Sequence, residues 1–166
     1  KDGNGYGGGN CDLKTAVELG RRATEYGMKV NIDFHYSDFW ADPKRQNCPK
    51  AWEGMEIEEK CDALYTFTKD SLNTLLDADV DVAMVQIGNE INYGMAGETF
   101  QPKIMQLLKS GSRAVREVSE EKNHDIKIAV HYTNIRDNAE VDSRALSLQS
   151  ENLDYDVFGL SFYSFW

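Results

Sequence analysis

Five side chains suited to proton transfer or to binding a polar substrate come near the ends of short apolar segments. They are Asp33, His35, Glu90, His131 and Tyr163. A central carboxylate, Glu90, with two imidazoles and a phenol is suited to acid/base chemistry on a neutral polar substrate. Taken singly, each residue has an ordinary structural explanation. Brought together at one end of one sheet, they would indicate a catalytic site.

The segments around these residues predict four helix–strand units. Helical spacing of apolar residues predicts helices at Asp12–Tyr26, at Glu56–Asp77, from about Pro102 to Glu121 and at about Asp137–Gln149. Apolar or alternating runs predict strands at Met28–His35, Val82–Glu90, Ile126–Tyr132 and Asp156–Tyr163. Thr99 is predicted to cap the third helix, and Pro102 suits its first turn. This order of elements implies parallel strands joined by right-handed crossovers.

Counting by twos along the strands places the polar candidates on one face. Asp33 and His35 share a face opposite Phe34, and His131 lies opposite Val130. In an α/β barrel this face turns into the lumen, and the C-terminal strand ends carry the chemistry. Small residues on the same face are expected to leave room there; they are Gly88, Gly159 and Ser161.

The number of strands predicts part of a barrel. A complete TIM (β/α)₈ barrel has eight strands and about 250 residues, whereas this chain has 166 residues and four predicted strands. We therefore expect residues 1–166 to form one partial barrel, truncated at both ends. The first and last strands would be edges with apolar outer faces, which predicts pairing between chains or with further segments of the protein.

Aromatic residues are concentrated in the loop after the first strand. They are Tyr36, Phe39, Trp40 and Trp52. Each needs either a core to bury it or a ligand on which to stack, and the sequence leaves both explanations open. Indole rings suit the apolar C–H faces of sugars. A glycosidase needs two carboxylates, one to protonate the leaving oxygen and one to act as nucleophile or base.

Charge and motif content limit the partners and cofactors. A net charge of −10 and a pI near 4.7 argue against nucleic acid or an anionic membrane as partner. No apolar run approaches the roughly 20 residues of a membrane span. The glycines Gly3, Gly5 and Gly8 match GxGxxG but lack a preceding strand, which favours a flexible loop over a dinucleotide site.

The three cysteines, Cys11, Cys48 and Cys61, fit no zinc pattern. Cys48 and Cys61 could form a disulfide in a secreted protein, and three free thiols explain the sequence equally well. Because the cysteines fit no zinc pattern and the glycine-rich segment lacks a preceding strand, we predict no metal and no cofactor within this chain.

Four segments carry a resemblance to a known family. GYGGGNCDL, VNIDFHYSDFWADPKRQNCPKAW, VQIGNEINYGM and YDVFGLSFYSFW resemble the arabinogalactan endo-β-1,4-galactanases of glycoside hydrolase family 53. The resemblance implies a secreted, retaining (β/α)₈ glycosidase that acts on the galactan side chains of pectin. It also implies that the four strands are barrel strands three to six.

The resemblance also implies roles for individual residues. Glu90 matches the general acid/base, and Asn89 matches the residue that binds the sugar 2-hydroxyl. Tyr163 would lie beside the nucleophile. The remaining candidate substrate-binding residues are Asp33, His35, Trp40, His131 and Trp166.

The nucleophile of the family is a glutamate at the end of strand seven, which this sequence does not reach. The other glutamates are predicted to lie in loops or on helices; they include Glu98, Glu117, Glu120, Glu121, Glu140 and Glu151. We expect the 166 residues alone to be inactive. The calcium sites of some bacterial members lie largely beyond strand six. The alternatives are a related glycosidase acting on another β-glycan and a non-catalytic carbohydrate-binding half barrel.

Overall fold

The chain forms a parallel sheet covered by helices, as shown by a computed structural model that describes residues 11–133 and 137–163. The helices are α1 (Leu13–Glu25), α2 (Ile57–Asp77), α3 (Gln101–Lys122) and α4 (Asn138–Ser150), with a short 3₁₀ turn at Lys50–Trp52. The strands are β1 (Val30–Phe34), β2 (Val82–Ile87), β3 (Lys127–Tyr132) and β4 (Val157–Leu160).

Capping residues in the sequence determine where most of the helices begin. Asp12 caps α1 by accepting a hydrogen bond from the Thr15 backbone N–H at 2.8 Å. Glu56 and Glu59 form a reciprocal capping box at the start of α2. The prediction for α3 was wrong in one respect: Phe100, not Thr99, is the N-cap and makes no side-chain cap, although Pro102 does lie in the first turn.

All four strands are parallel, and their spatial order is the chain order β1-β2-β3-β4. Asp33 is in register with Gln86, and His131 is in register with Gly159. The predicted order of elements is therefore confirmed. β1 and β4 are the two edges of this sheet.

The core lies between one face of the sheet and the helices. Its completely buried side chains include Leu64 and Leu72 of α2, Ile87 of β2, Leu107 and Leu108 of α3, and Ile128 of β3. The opposite face of the sheet holds the polar side chains that parity placed together. The edge strand β4 has an exposed apolar residue in Leu160, and Phe162, which follows the strand, is exposed as well.

The strands β1, β2 and β4 end earlier than predicted, whereas β3 ends at Tyr132 as predicted. After β1 and β2 the backbone leaves the extended conformation. Tyr36, Gly88 and Glu90 have φ values of +47°, +89° and +49°. Such values are incompatible with a β-strand and turn the chain sharply. His35, Glu90, Ser161 and Tyr163 therefore follow strands instead of belonging to them.

In the part of the chain that the structure describes, no helix is long and apolar enough to cross a membrane. The three cysteines, all within the described residues, are free thiols, so the open question of a Cys48–Cys61 disulfide is answered against it. The glycine-rich segment with Gly3, Gly5 and Gly8 lies outside the described residues.

Candidate active site

Asn89 is the junction of a hydrogen-bond network at the C-terminal edge of the sheet. Its Nδ2 donates to the Ala41 carbonyl at 2.8 Å, which orients the amide. The Oδ1 atom then accepts from Gln86 Nε2 at 3.2 Å and from His131 Nδ1 at 2.9 Å. Asn89 thus joins the loop after β1 to β2 and β3.

His35 and Asp33 form the β1 end of this network. The Ala41 backbone N–H donates to His35 Nδ1 at 2.8 Å, so the proton of the neutral imidazole is on Nε2. Nε2 donates to Asp33 Oδ2 at 3.1 Å, and Gln86 Nε2 donates to Asp33 Oδ1 at 2.7 Å. Both oxygens of Asp33 are therefore committed to neighbouring side chains.

Glu90 is held at the end of β2 in a strained backbone conformation. Its φ of +49° lies in the left-handed region, which costs a non-glycine residue of order 1–3 kcal/mol and is concentrated at functional sites. The Ser161 hydroxyl lies 2.8 Å from Glu90 Oε1. Gln46 Nε2 donates to the Asn89 carbonyl at 2.8 Å, and the Ile91 N–H donates to the His131 carbonyl at 3.1 Å.

Gly88 makes the turn before Glu90 possible. With φ +89° it adopts a conformation that side chains disfavour, and a Cβ built there would lie 2.7 Å from Ile91 Cγ2. The Gly88 N–H still pairs with the Phe34 carbonyl of β1 at 3.0 Å. The turn therefore begins directly from the sheet ladder.

His131 is half-buried in the middle of the network. Burial lowers the pKa of its imidazole, the nearby Glu90 and Asp33 carboxylates raise it, and His35 lowers it. The net direction is a lowered pKa, because the desolvation cost of the imidazolium is the largest of these effects. The neutral form is thus favoured near neutral pH.

The loop aromatics divide between the core and the surface. Tyr36 and Trp52 are in the core, where the Tyr36 hydroxyl hydrogen-bonds Thr68 Oγ1 at 2.8 Å and burial raises the tyrosine pKa well above its usual range. Phe39 and Trp40 are exposed, the latter by 58%. Trp40 directly precedes Ala41, whose backbone contacts His35 and Asn89.

The network unites some predicted residues and leaves others apart. Asp33, His35, Asn89, Glu90 and His131 are brought together by the contacts described above. Tyr163 is 56% exposed and follows β4. Trp166 lies outside the described residues. Within the described ranges, no three or more His, Cys, Asp and Glu side chains are arranged so that they could hold a metal ion.

Sequence reasoning missed the polar residues that connect the candidates. Ser161 was interpreted only as a small residue leaving space, yet it contacts both Glu90 and His131. Gln86 and Gln46 received no role, although both support Asn89. The available signal was parity, since Gln86 and Ser161 lie on the same strand face as Glu90 and Tyr163.

The other glutamates occupy the structural positions that were predicted. Glu117, Glu120 and Glu121 are on α3, Glu140 is on α4, and Glu151 is the C-cap of α4. Glu98 is in the loop after β2 and forms an ion pair with Lys60 at 2.5 Å. None of these glutamates lies at a strand end.

Comparison with known proteins settles the family. A model of Glycosyl hydrolase family 53 matches residues 1–166. This chain belongs to glycosyl hydrolase family 53. The resemblance carried by the four sequence segments is therefore confirmed.

Relatives within glycosyl hydrolase family 53 have closely similar sequences. The chain is 50% identical over 165 residues to the endo-beta-1,4-galactanase of Bacillus subtilis (strain 168), covering 99% of this chain and 38% of that protein. It is 37% identical over 166 residues to the arabinogalactan endo-beta-1,4-galactanase of Cellvibrio japonicus (strain Ueda107), covering 93% and 43%. The chain thus spans less than half the length of these relatives.

Solved structures of the family share the fold. The Ignisphaera aggregans GH53 catalytic domain superposes with a TM-score of 0.88 at 35% identity, covering 100% of this chain and 46% of that one. A structure described as one of two fungal beta-1,4-galactanases gives a TM-score of 0.84 at 35% identity and covers 93% and 48%. The parallel sheet with alternating helices is therefore about half of a TIM barrel of this family, as predicted.

Proposed function

We propose that this chain is part of an endo-β-1,4-galactanase that hydrolyses galactan with retention of configuration, with Glu90 as the general acid/base. The observation that carries the proposal is the position of Glu90. It follows the central strand β2 in a strained turn, with its carboxylate hydrogen-bonded to Ser161 and its preceding residue held by His131. The names of the relatives support the substrate.

In the first step Glu90 donates a proton to the leaving glycosidic oxygen while a carboxylate attacks the sugar carbon. In the second step the ionised Glu90 takes a proton from water, which hydrolyses the glycosyl intermediate. The attacking carboxylate would come from a further part of the protein, about 5–5.5 Å from Glu90 in a retaining enzyme. The positions of the other glutamates on helices and in loops support that assignment.

Asn89 can bind the sugar 2-hydroxyl in only one way. Its Oδ1 already accepts two hydrogen bonds, and one Nδ2 hydrogen is donated to Ala41. The second Nδ2 hydrogen is the group that would donate to the hydroxyl oxygen. Substrate recognition and the orientation of His131 therefore depend on one amide.

Exposed aromatic and polar residues next to this network supply a surface for a polysaccharide. Phe39 and Gln46 line an open cleft of 750 Å³, and Gln46 also supports the Asn89 carbonyl. We assign Trp40, whose ring is exposed, as a stacking residue for a galactose face. A polymer of this kind in pectin would be met outside the cell, so we also propose secretion.

The test compares Glu90→Gln with Glu120→Gln in the full-length protein, Glu120 being an exposed residue of α3. We expect Glu90→Gln to lower kcat on galactan by about 10²–10⁴-fold, because the acid/base is lost. Its defect should be much smaller on an aryl galactoside whose leaving group needs no protonation. Glu120→Gln should match the wild type.

Equal activity of the two variants on galactan would contradict the assignment of Glu90. If the wild type showed no turnover and Glu90→Gln bound the sugar with unchanged affinity, the protein would instead be a carbohydrate-binding protein. Faster hydrolysis of mannan or cellulose than of galactan would indicate a related glycosidase. NMR of the first-formed anomer distinguishes retention from inversion.

A further inference from the structure

The Ser161 hydroxyl lies between the two titratable groups at the centre of the site. Its Oγ is 2.8 Å from Glu90 Oε1 and 2.9 Å from His131 Nε2. Ser161 follows β4, Glu90 follows β2 and His131 is on β3, so the contact exists only because the sheet order brings them together. One hydroxyl group therefore connects a carboxyl group and an imidazole.

The hydrogen bonds of Asn89 determine which nitrogen of His131 carries a proton. With Nδ2 donating to the Ala41 carbonyl, Oδ1 faces His131 Nδ1 at 2.9 Å, so Nδ1 must donate. A flipped amide would place two acceptors against each other. The Glu90 N–H is 3.4 Å from the same nitrogen, and this longer contact is the weaker competitor.

Two proton arrangements satisfy every atom of the bridge. In one, the protonated Glu90 donates to Ser161 Oγ, and the Ser161 hydroxyl donates to the lone pair of His131 Nε2. In the other, the Ser161 hydroxyl donates to the Glu90 carboxylate, and the Nε2–H of the imidazolium donates to Oγ. Passing from the first to the second moves one proton from Glu90 to Ser161 and one from Ser161 to His131. The number of protons in the bridge does not change.

Either addition or removal of a proton leaves the bridge mismatched. With both Glu90 and His131 protonated, Oγ accepts from both, and the serine hydrogen has no acceptor within the bridge. With neither protonated, two acceptors compete for the single serine hydrogen. The bridge therefore favours one shared proton.

We propose that Ser161 is a positioning residue that couples the protonation of Glu90 to that of His131 through a hydrogen-bonded bridge in which the two groups share one proton. The proposal rests on the proposed role of Glu90 as acid/base. The charged and titratable groups around His131 are Glu90, Asp33 and His35. Burial lowers the pKa of His131, which disfavours the arrangement that contains the imidazolium.

The experiment uses Ser161→Ala and Ser161→Thr in the full-length protein, with Ser150→Ala as control. Ser150 is an exposed residue of α4 whose hydroxyl donates to the Ser147 carbonyl. The ¹⁵N shifts of the His131 ring are followed against pH, and kcat/KM on galactan is measured over the same range. Coupled groups titrate in two shared steps.

We expect the wild type and Ser150→Ala to show two steps at His131, and Ser161→Ala to show one. We also expect the basic limb of the kcat/KM profile to move in Ser161→Ala, because the variant loses the hydroxyl that hydrogen-bonds Glu90 Oε1. Ser161→Thr keeps the hydroxyl and should restore both. Two steps and an unmoved limb in Ser161→Ala would overturn the proposal.

Glu90→Gln provides a second variant that needs no change at Ser161. The glutamine side chain cannot hold the shared proton, so the second titration step at His131 should vanish. Persistence of that step would also overturn the coupling. The NMR experiment does not depend on turnover. If the wild type fails to cleave galactan, the proposed function is wrong, but the NMR titration still shows whether Glu90 and His131 are coupled.

Discussion

The imidazole of His131 donates from Nδ1 to the amide oxygen of Asn89 across 2.9 Å. The other imidazole of the site, His35, instead accepts a hydrogen bond at its own Nδ1. Both orientations are determined by the backbone of Ala41, which donates to His35 and accepts from Asn89. A single backbone residue in the loop after β1 thus orients the side chains of three strand ends.

This arrangement predicts opposite tautomers for the two histidines. At about pH 8.5, where histidine is normally neutral, we expect the proton on Nδ1 in His131 and on Nε2 in His35. The ¹⁵N shifts of the two rings distinguish a protonated from an unprotonated nitrogen. Identical tautomers in the two rings would show that the Asn89 amide is oriented differently.

Gly88→Ala should cost more stability than Gly54→Ala. Both glycines have positive φ, +89° and +79°, but only at Gly88 would a Cβ meet another side chain, Ile91 Cγ2, at 2.7 Å. We expect roughly 1 kcal/mol of destabilisation at Gly54, from the backbone alone, and about 1–3 kcal/mol more at Gly88 from overpacking. Urea unfolding of the full-length protein measures both, and equal losses would contradict a steric role for Ile91.

Glu90→Gly should be more stable than Glu90→Ala. Both variants remove the carboxylate and its Ser161 contact, but only glycine relieves the strain of a φ of +49°. We expect a difference of about 1 kcal/mol in favour of glycine, the reverse of the order in helices. Denaturant midpoints of the two variants provide the comparison. A more stable alanine variant would mean that the backbone at Glu90 is unstrained.

Lys60 and Glu98 form a nearly buried ion pair that ties α2 to the loop after Glu90. Their side chains are 9% and 14% exposed, and a second contact joins Glu98 to Lys103 at 3.4 Å. Removing one partner leaves a buried charge, so Glu98→Gln should cost about 3 kcal/mol at neutral pH. Adding Lys60→Met should recover part of this loss. A strictly additive double variant would contradict the coupling.

The effect of Glu98→Gln should also depend on pH. The hydrogen bond from Lys60 lowers the pKa of Glu98 and outweighs the opposing effect of burial. The carboxylate therefore stabilises the fold above its unfolded pKa of about 4.3 and loses that contribution as pH falls through the lower folded value. The stability difference from the wild type should be full at pH 7 and shrink below about pH 4. Glu120→Gln is the exposed control.

Much of this architecture follows from local features of the chain. Asp12 and the pair Glu56 and Glu59 are helix starts that need only neighbouring residues. The alternation in β1 and β3 and the order of elements require a parallel sheet. That order alone places Asp33, Glu90 and His131 at one edge, since the carboxyl ends of parallel strands coincide.

Tertiary structure decided the chemistry between those residues. The contact of Ser161 with Glu90 spans 71 positions along the chain, and nothing near either residue indicates it. It depends on strand register and on the positive φ that turns Glu90 out of β2. Likewise Tyr36 is buried and Trp40 exposed, although they are four positions apart in one loop. Local pattern determines elements and faces, whereas a hydrogen bond requires atoms to be placed within a few tenths of an ångström, which only the packed fold achieves.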